Sequence, residues 1–229
     1  MNIEICDIND VRPSTYNPRE ADTGRLNLIE WSLRKFGFLL PIYADNEGEI
    51  LSGHQRHLVA QRMGAKRIPV ERIKNLDLEK RKALNIVFNR GTNDFRMADD
   101  TKKVTLELNS YYLLGLLDAL PDIDVNSPEF FACLKTRKYD IKALLRANQG
   151  KYNPYARNIA RTLHAEGIIM PILMKPDFEI LNGIGRLHLL AEKGYDQVYC
   201  LEIPVEKAEA ASLLLNKITM DFDLHNKYR

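Results

Sequence analysis

Five consecutive residues, Ser52-Gly53-His54-Gln55-Arg56, have the types and spacing to hold a phosphate. An apolar run, Ile50-Leu51, leads into a glycine that lets the chain turn tightly, and a helix-forming stretch follows. The first turn of a helix presents unpaired N–H groups and the positive end of the helix dipole, so an anion is stabilised there. Arg56, one turn inward, can add a bidentate contact. His54 can donate to a phosphate oxygen or move a proton, Ser52 can cap the helix or touch the ligand, and Gln55 adds a further polar group. A carboxylate in reach would extend binding to phosphoryl transfer or hydrolysis, and Glu20, two residues after Pro18, is the candidate base. A structural account stays open beside this one, in which the glycine turn opens a capped helix and Arg56 serves as an internal pair partner.

A second version of the unit sits 130 positions downstream. Ser32 to Ile42, carrying Phe36-Gly37-Phe38-Leu39-Leu40-Pro41, falls on Thr162 to Ile172, and Glu49 to Arg56 falls on Glu179 to Arg186 without a gap. Gly64 answers Gly194; after a short length change Tyr16-Asn17-Pro18 answers Tyr152-Asn153-Pro154, and Ala83 to Phe95 answers the stretch ending Asp221-Phe222. The second copy keeps Gly183, Arg186 and Pro171 but has Ile184 for His54, Gly185 for Gln55 and Ala156 for Glu20. Groups needed only for folding would be needed twice, so their joint loss marks one working site and one scaffold. Arg56 gains nothing from this comparison, because Arg186 is kept.

The elements that position the loop are legible in each unit. Ile3, Ile5 and Ile8 suggest a strand; Leu26, Ile29, Leu33 and Phe36 fall at helical spacing up to Gly37. Leu39 to Ala44 and Glu49 to Leu51 flank the turn Asp45-Asn46-Glu47-Gly48, Gln55 to Met63 reads as a helix closed by Gly64, and Ile68 to Glu71 as a strand. Further helices are expected over Asp77 to Phe88 and Glu206 to Lys217, and between the units over Thr101 to Leu120 and from Ser127, where Pro128 follows a capping serine. The expectation is a mixed α/β chain: a site-bearing unit over 1–98, a helical connector over 99–150 and a degenerate second unit over 151–229.

Composition limits the alternatives. The chain has 229 residues, 45% hydrophobic and 28% charged, enough for a core and too apolar for general disorder. No apolar stretch approaches the roughly 20 residues of a membrane span. Met1 to Asp10 carries Glu4, Asp7 and Asp10 and no basic residue, unlike a secretory signal, so a cytoplasmic protein is expected. Cys6, Cys133 and Cys200 are too scattered for a disulfide framework or a zinc site and are expected to be inert thiols. A net charge of +2 excludes a polycation, so nucleic-acid contact would be local. The basic run Lys135, Arg137, Lys138, Lys142, Arg146 and Lys151, with Tyr139 among it, fits either a solvated face or a DNA-backbone contact through Arg137, Lys138, Lys142 and Arg146. Trp31 is read as core or domain-interface packing and not as a base-stacking platform, Tyr111, Tyr112, Phe130 and Phe131 as burying the connector between the units, and His164, His188 and His225 as surface or capping groups.

At Asn17-Pro18-Arg19-Glu20, at Gly37 to Pro41, at Ser52 to Arg56 and at Gly64-Ala65-Lys66-Arg67-Ile68-Pro69-Val70 the chain resembles the ParB/sulfiredoxin superfamily. The resemblance implies a sulfiredoxin-type fold in each unit and a nucleotide site formed by Asn17, Arg19, Ser52, Gly53, His54, Gln55 and Arg56. It implies catalytic roles for Glu20 and His54, a nucleoside triphosphate (ATP or CTP) with Mg²⁺, and no assigned metal ligand. His54 stands where sulfiredoxins carry cysteine, which argues against peroxiredoxin repair. Gly53-His54-Gln55-Arg56 with Glu20 looks similar to the free-serine kinases of the superfamily, and Phe88-Asn89-Arg90 to ParB-like domains found in phages and beside DNA methyltransferases. The implied function is a ParB-like nucleotide-binding protein that hydrolyses or transfers phosphoryl groups in phage, plasmid or bacterial DNA metabolism or modification. The alternative is a non-catalytic DNA-associated module, and a nuclease is third, for want of carboxylates to hold two metals. Family dimers pair such domains, so the two units are expected to form an intramolecular pseudo-dimer.

Overall fold

The computed structural model describes residues 2–14, 23–74, 76, 80–81, 84, 112–151, 164 and 170–225. The chain opens with β1 (Ile3–Asp7) and a single 3-10 turn, Ile8–Asp10, capped by the Asp7 carboxylate. In α1 (Thr23–Phe36) the helically spaced Leu26, Ile29, Leu33 and Phe36 are all buried. The helix stops at Gly37, whose φ of 67° only glycine adopts freely and whose missing side chain admits the Phe130 carbonyl. β2 (Ile42–Asp45) and β3 (Ile50–Ser52) form a hairpin whose turn is held by Asp45, which accepts from the N–H groups of Glu47 and Glu49. α2 (His54–Arg62) and β4 (Arg67–Ile73) complete the unit. The sheet has the order β1-β4-β2-β3, with β2 parallel to β4 and the other neighbours antiparallel.

The second unit repeats this plan. β5 (Arg137–Asp140), β6 (Ile172–Met174), β7 (Ile180–Asn182) and β8 (Gln197–Glu202) form a sheet of order β5-β8-β6-β7, again with one parallel pair. α3 (Ile141–Ala147) follows β5, α4 (Ile184–Glu192) corresponds to α2, and α5 (Val205–His225) follows β8. The molecule is thus a mixed α/β chain with two four-stranded sheets.

The stretch expected to be a helical connector is only partly so. Residues 112–118 are helical, but Pro128–Lys135 is 3-10 in type, without a cap hydrogen bond from the Ser127 side chain. Arg137–Asp140 is the edge strand of the second sheet, so that sheet draws on residues before 151. Most of the expected helix over Asp77 to Phe88 lies outside the described residues, as do Thr101 to Tyr111.

Among the described residues, three of the four apolar clusters carry the cores of the units and their junction. The first gathers Ile8, Leu26, Leu33, Phe38, Ile42, Ile50, Val59, Ile68 and Val70 around Phe130 and Phe131, placing both phenylalanines inside the first unit's core and not between the units. A second cluster, with Ile141, Leu144, Ile172, Leu187 and Cys200, lies within the second unit. The third is shared: Phe36 and Leu39 of the first unit meet Leu173, Leu201 and Leu214 of the second, with Leu113 and Leu117 between them and Trp31 at its margin. Trp31 therefore packs at the junction, as its place in the sequence suggests. Among the described residues no helix is long and apolar enough to cross a membrane.

Candidate functional site

The strand-to-helix turn forms as the sequence requires. Gly53 has a φ of 102°, a conformation other residues adopt only with strain, and its counterpart Gly183 has 109°. No side chain caps α2 or α4 at these positions, and the first intrahelical bond of α2 is His57 N–H to Gly53 O. The N–H groups of the turn between them are therefore not spent within the helix, the arrangement that favours an anion.

Arg56 has a different set of partners from a phosphate. Its Nη1 donates to Leu40 O at 2.5 Å and to Pro41 O at 3.0 Å, and its Nη2 lies 3.1 Å from where a side chain on Gly53 would begin. Arg186 does the same: Nη2 donates to Pro171 O and Asn182 Oδ1, both at 3.0 Å, and sits 2.6 Å from the corresponding point on Gly183. The arginine packs under the glycine and ties it to the loop before the central strand. Each side chain keeps some exposure, but loss of solvent around each guanidinium lowers its pKa, to about 10 for Arg186. The internal partner left open by the sequence is thus main-chain carbonyl, not a carboxylate.

Near this lock Tyr43 on β2 is fully buried in a cluster with Leu51 and Leu84 against which Met170 packs, and its phenol pKa is raised by desolvation and then by Glu71, against the pull of Arg56 and Arg186. Glu71 is itself raised by burial. Burial pushes the Cys133 and Cys200 thiols up to about 12 and half-buried Cys6 up to about 11, so all three are protonated at neutral pH and poor nucleophiles.

His54 stands at the first position of α2, with its Nε2 3.3 Å from the N–H of Ser14. Ser14 in turn donates its hydroxyl to Glu49 Oε1 at 2.6 Å. Glu49 lies 3.8 Å from Arg81, which also forms ion pairs with Asp45 and Glu47 at 3.0 and 3.4 Å. Ser14 and Glu49 were not expected at the site; they lie 40 and 5 positions from His54, and no local pattern links them. The structure brings together Ser52, Gly53, His54, Gln55 and Arg56, while Asn17, Arg19 and Glu20 lie outside the described residues. Among the described residues no three His, Cys, Asp or Glu are grouped to hold a metal ion.

The remaining expectations can be placed. Arg137 and Lys138 on β5 and Lys142 and Arg146 on α3 are all exposed, with the Lys138 ammonium 5.4 Å from the centre of the Tyr199 ring. His164 bonds the Tyr195 hydroxyl and His188 the Lys151 carbonyl, as expected for surface histidines.

No family model matches the chain. It is 27% identical over 70 residues, 31% of its length and 80% of the relative's, to the ParB-like nuclease domain-containing protein YnaK of Escherichia coli (strain K12). Among solved structures it resembles the C-terminally truncated chromosome-partitioning protein ParB from Caulobacter crescentus complexed with CTP-gamma-S, with a TM-score of 0.39 and 25% identity. That match covers 50% of this chain and 63% of the other, so the chain spans less than two thirds of that protein.

Removing the Arg56 lock should cost stability whether or not a nucleotide is present. Arg56→Met leaves Leu40 O and Pro41 O without their charged donor, and urea unfolding should show a loss of about 2–4 kcal/mol. A change within about 0.5 kcal/mol would mean that the lock is dispensable.

Proposed function

We propose that the first unit binds a nucleoside triphosphate by its phosphates at the start of α2 and acts as a ParB-like phosphoryl-transferring or hydrolysing protein, with the second unit, a degenerate tandem copy, as its built-in partner. The observation that carries this reading is a contrast between two equal scaffolds. Gly53 and Gly183 have the same backbone turn and the same arginine beneath them, yet only the first turn carries His54 and Gln55, where the second has Ile184 and Gly185. The similarity to a ParB-like protein supports the same reading.

In this account the N–H groups of the first turn of α2 receive phosphate oxygens, and His54 donates a further hydrogen bond. Ser52 and Gln55 line the mouth. Arg56 fixes the turn from below and contributes charge at close range, a positioning role. Asn17 and Arg19 add phosphate contacts from the segment that follows Ser14, and Glu20 on that segment accepts the proton of the attacking hydroxyl or water. A nucleotide supplied with Mg²⁺ brings its own charge neutralisation.

A second reading is a DNA-associated role, favoured by the joint exposure of Arg137, Lys138, Lys142 and Arg146 on neighbouring elements. Duplex binding should then weaken with salt, and neutralising Lys138, Lys142 and Arg146 should flatten the log–log slope by about 2–3. Absence of binding at low salt rejects it.

Thermal unfolding with ATP, CTP or GTP as Mg²⁺ salts tests the main reading. One of them at a hundred times its Kd should stabilise the wild type by about 2.7 kcal/mol, and His54→Ala should lose most of that gain. If none stabilises the wild type, or the variant gains as much, the phosphate site is not where we place it.

A further inference from the structure

The Ser14 hydroxyl lies beside the proposed phosphate site and is paired with a carboxylate. Its main-chain N–H meets His54 Nε2 at 3.3 Å, which places the residue beside the opening of α2. Its Oγ donates to Glu49 Oε1 at 2.6 Å, a short, charge-assisted bond that aims the serine proton at a base. Ser14 is partly buried, and the main chain on either side of Arg12 is bonded to Gly48 and Ile50, so the hydroxyl is carried on a fixed segment and not on a free loop.

The second unit again serves as a control. With the spacing that aligns Tyr16-Asn17-Pro18 to Tyr152-Asn153-Pro154, Ser14 falls on Gly150, and with the shorter spacing that aligns Gly53 to Gly183, His54 falls on Ile184, so neither hydroxyl nor imidazole has a counterpart. Glu49 is kept as Glu179; Glu49 meets Ser14 and lies 3.8 Å from Arg81, whereas Glu179 is engaged by Lys151 at 3.1 Å and by Lys175. The chain entering the hairpin thus meets this carboxylate through lysine in the second unit and through serine in the first, where the serine also lies beside His54.

We propose that Ser14 is a phosphoryl acceptor, modified by the protein itself from the nucleoside triphosphate bound at α2, with Glu49, and not Glu20, as the base for this hydroxyl. The inference rests on the nucleotide reading above and names the acceptor that reading leaves open. In the step, Ser14 Oγ forms a bond to the γ-phosphorus while the bond from that phosphorus to the β–γ bridging oxygen breaks. The electron pair leaves with the nucleoside diphosphate, and the serine proton passes to Glu49 and then to water. The product, a phosphoserine two residues before Tyr16, places a dianion where the Ser14 hydroxyl had met a carboxylate. Repulsion from Glu49 would then push the segment away from the hairpin.

The experiment is incubation of the full chain with each γ-labelled triphosphate and Mg²⁺, with bound nucleotide measured in parallel and the phosphopeptides mapped by mass spectrometry. The wild type should gain a single phosphoryl group on Ser14, Ser14→Ala should gain none, and Ser14→Thr should carry it on the threonine. Glu49→Gln should slow transfer by about a hundredfold or more while nucleotide still binds. Bound nucleotide with no phosphate on Ser14, or with phosphate on His54 or another residue, overturns the inference and leaves the nucleotide reading standing. Transfer at an unchanged rate in Glu49→Gln removes the base. No bound nucleotide removes both.

Discussion

A guanidinium packed beneath a glycine is the interaction on which each unit depends. The strand must give way to a helix within one residue, which only a glycine with φ near 100° allows without strain. The space left by its missing side chain is taken by an arginine one turn later, and that arginine reaches back to the carbonyls of the loop before the central strand. Buried carbonyls left without donors cost about 1–3 kcal/mol each, so the arginine, the glycine and the proline loop form one device and not three separate motifs. Its presence in both units explains why Arg186 survives where the polar groups above it do not.

On that base the two units diverge in one place. The scaffold fixes the direction of α2 and α4 and the spacing of their first N–H groups; the side chains on the first turn then set how polar the place is. His54 and Gln55 keep it polar in the first unit, whereas Ile184 and buried Gly185 turn the same place apolar in the second. The freed unit is spent on packing: Leu173 and Leu201 join Phe36, Leu39 and Leu117 in the core common to both halves. Tyr43, whose buried phenol feels both Arg56 and Arg186, belongs to a cluster against which Met170 packs.

Much of this was readable in the sequence, for physical reasons that differ by element. Leu26, Ile29, Leu33 and Phe36 announced α1 through their period, and Asp45-Asn46-Glu47-Gly48 announced the hairpin through its turn chemistry. Gly53 and Gly183 marked the strand-to-helix turns, and the ungapped offset between them foretold the equal strand order of the two sheets. β5 was hidden because Arg137-Lys138-Tyr139-Asp140 is an edge strand that is mostly exposed, leaving charge where burial would have written an apolar pattern. Phe130 and Phe131 were assigned to the wrong core because contact with Gly37 and Phe38 spans some ninety positions and leaves no local trace. Arg56 was ambiguous for a similar reason: its partners are carbonyls, which every residue has. The Ser14–Glu49 bond and its contact with His54 could be found only once the segment after the first 3-10 turn had been laid along the hairpin at Arg12 and Glu49.

The central claim is that a phosphate sits on the first turn of α2 and not on its twin. Amide NMR of the full chain titrated with the nucleotide that binds most tightly tests it most directly. The account predicts large shifts for the amides of Gly53 to Arg56 and none beyond noise for those of Gly183 to Arg186. Equal shifts at both turns, or shifts confined to residues elsewhere, would contradict it.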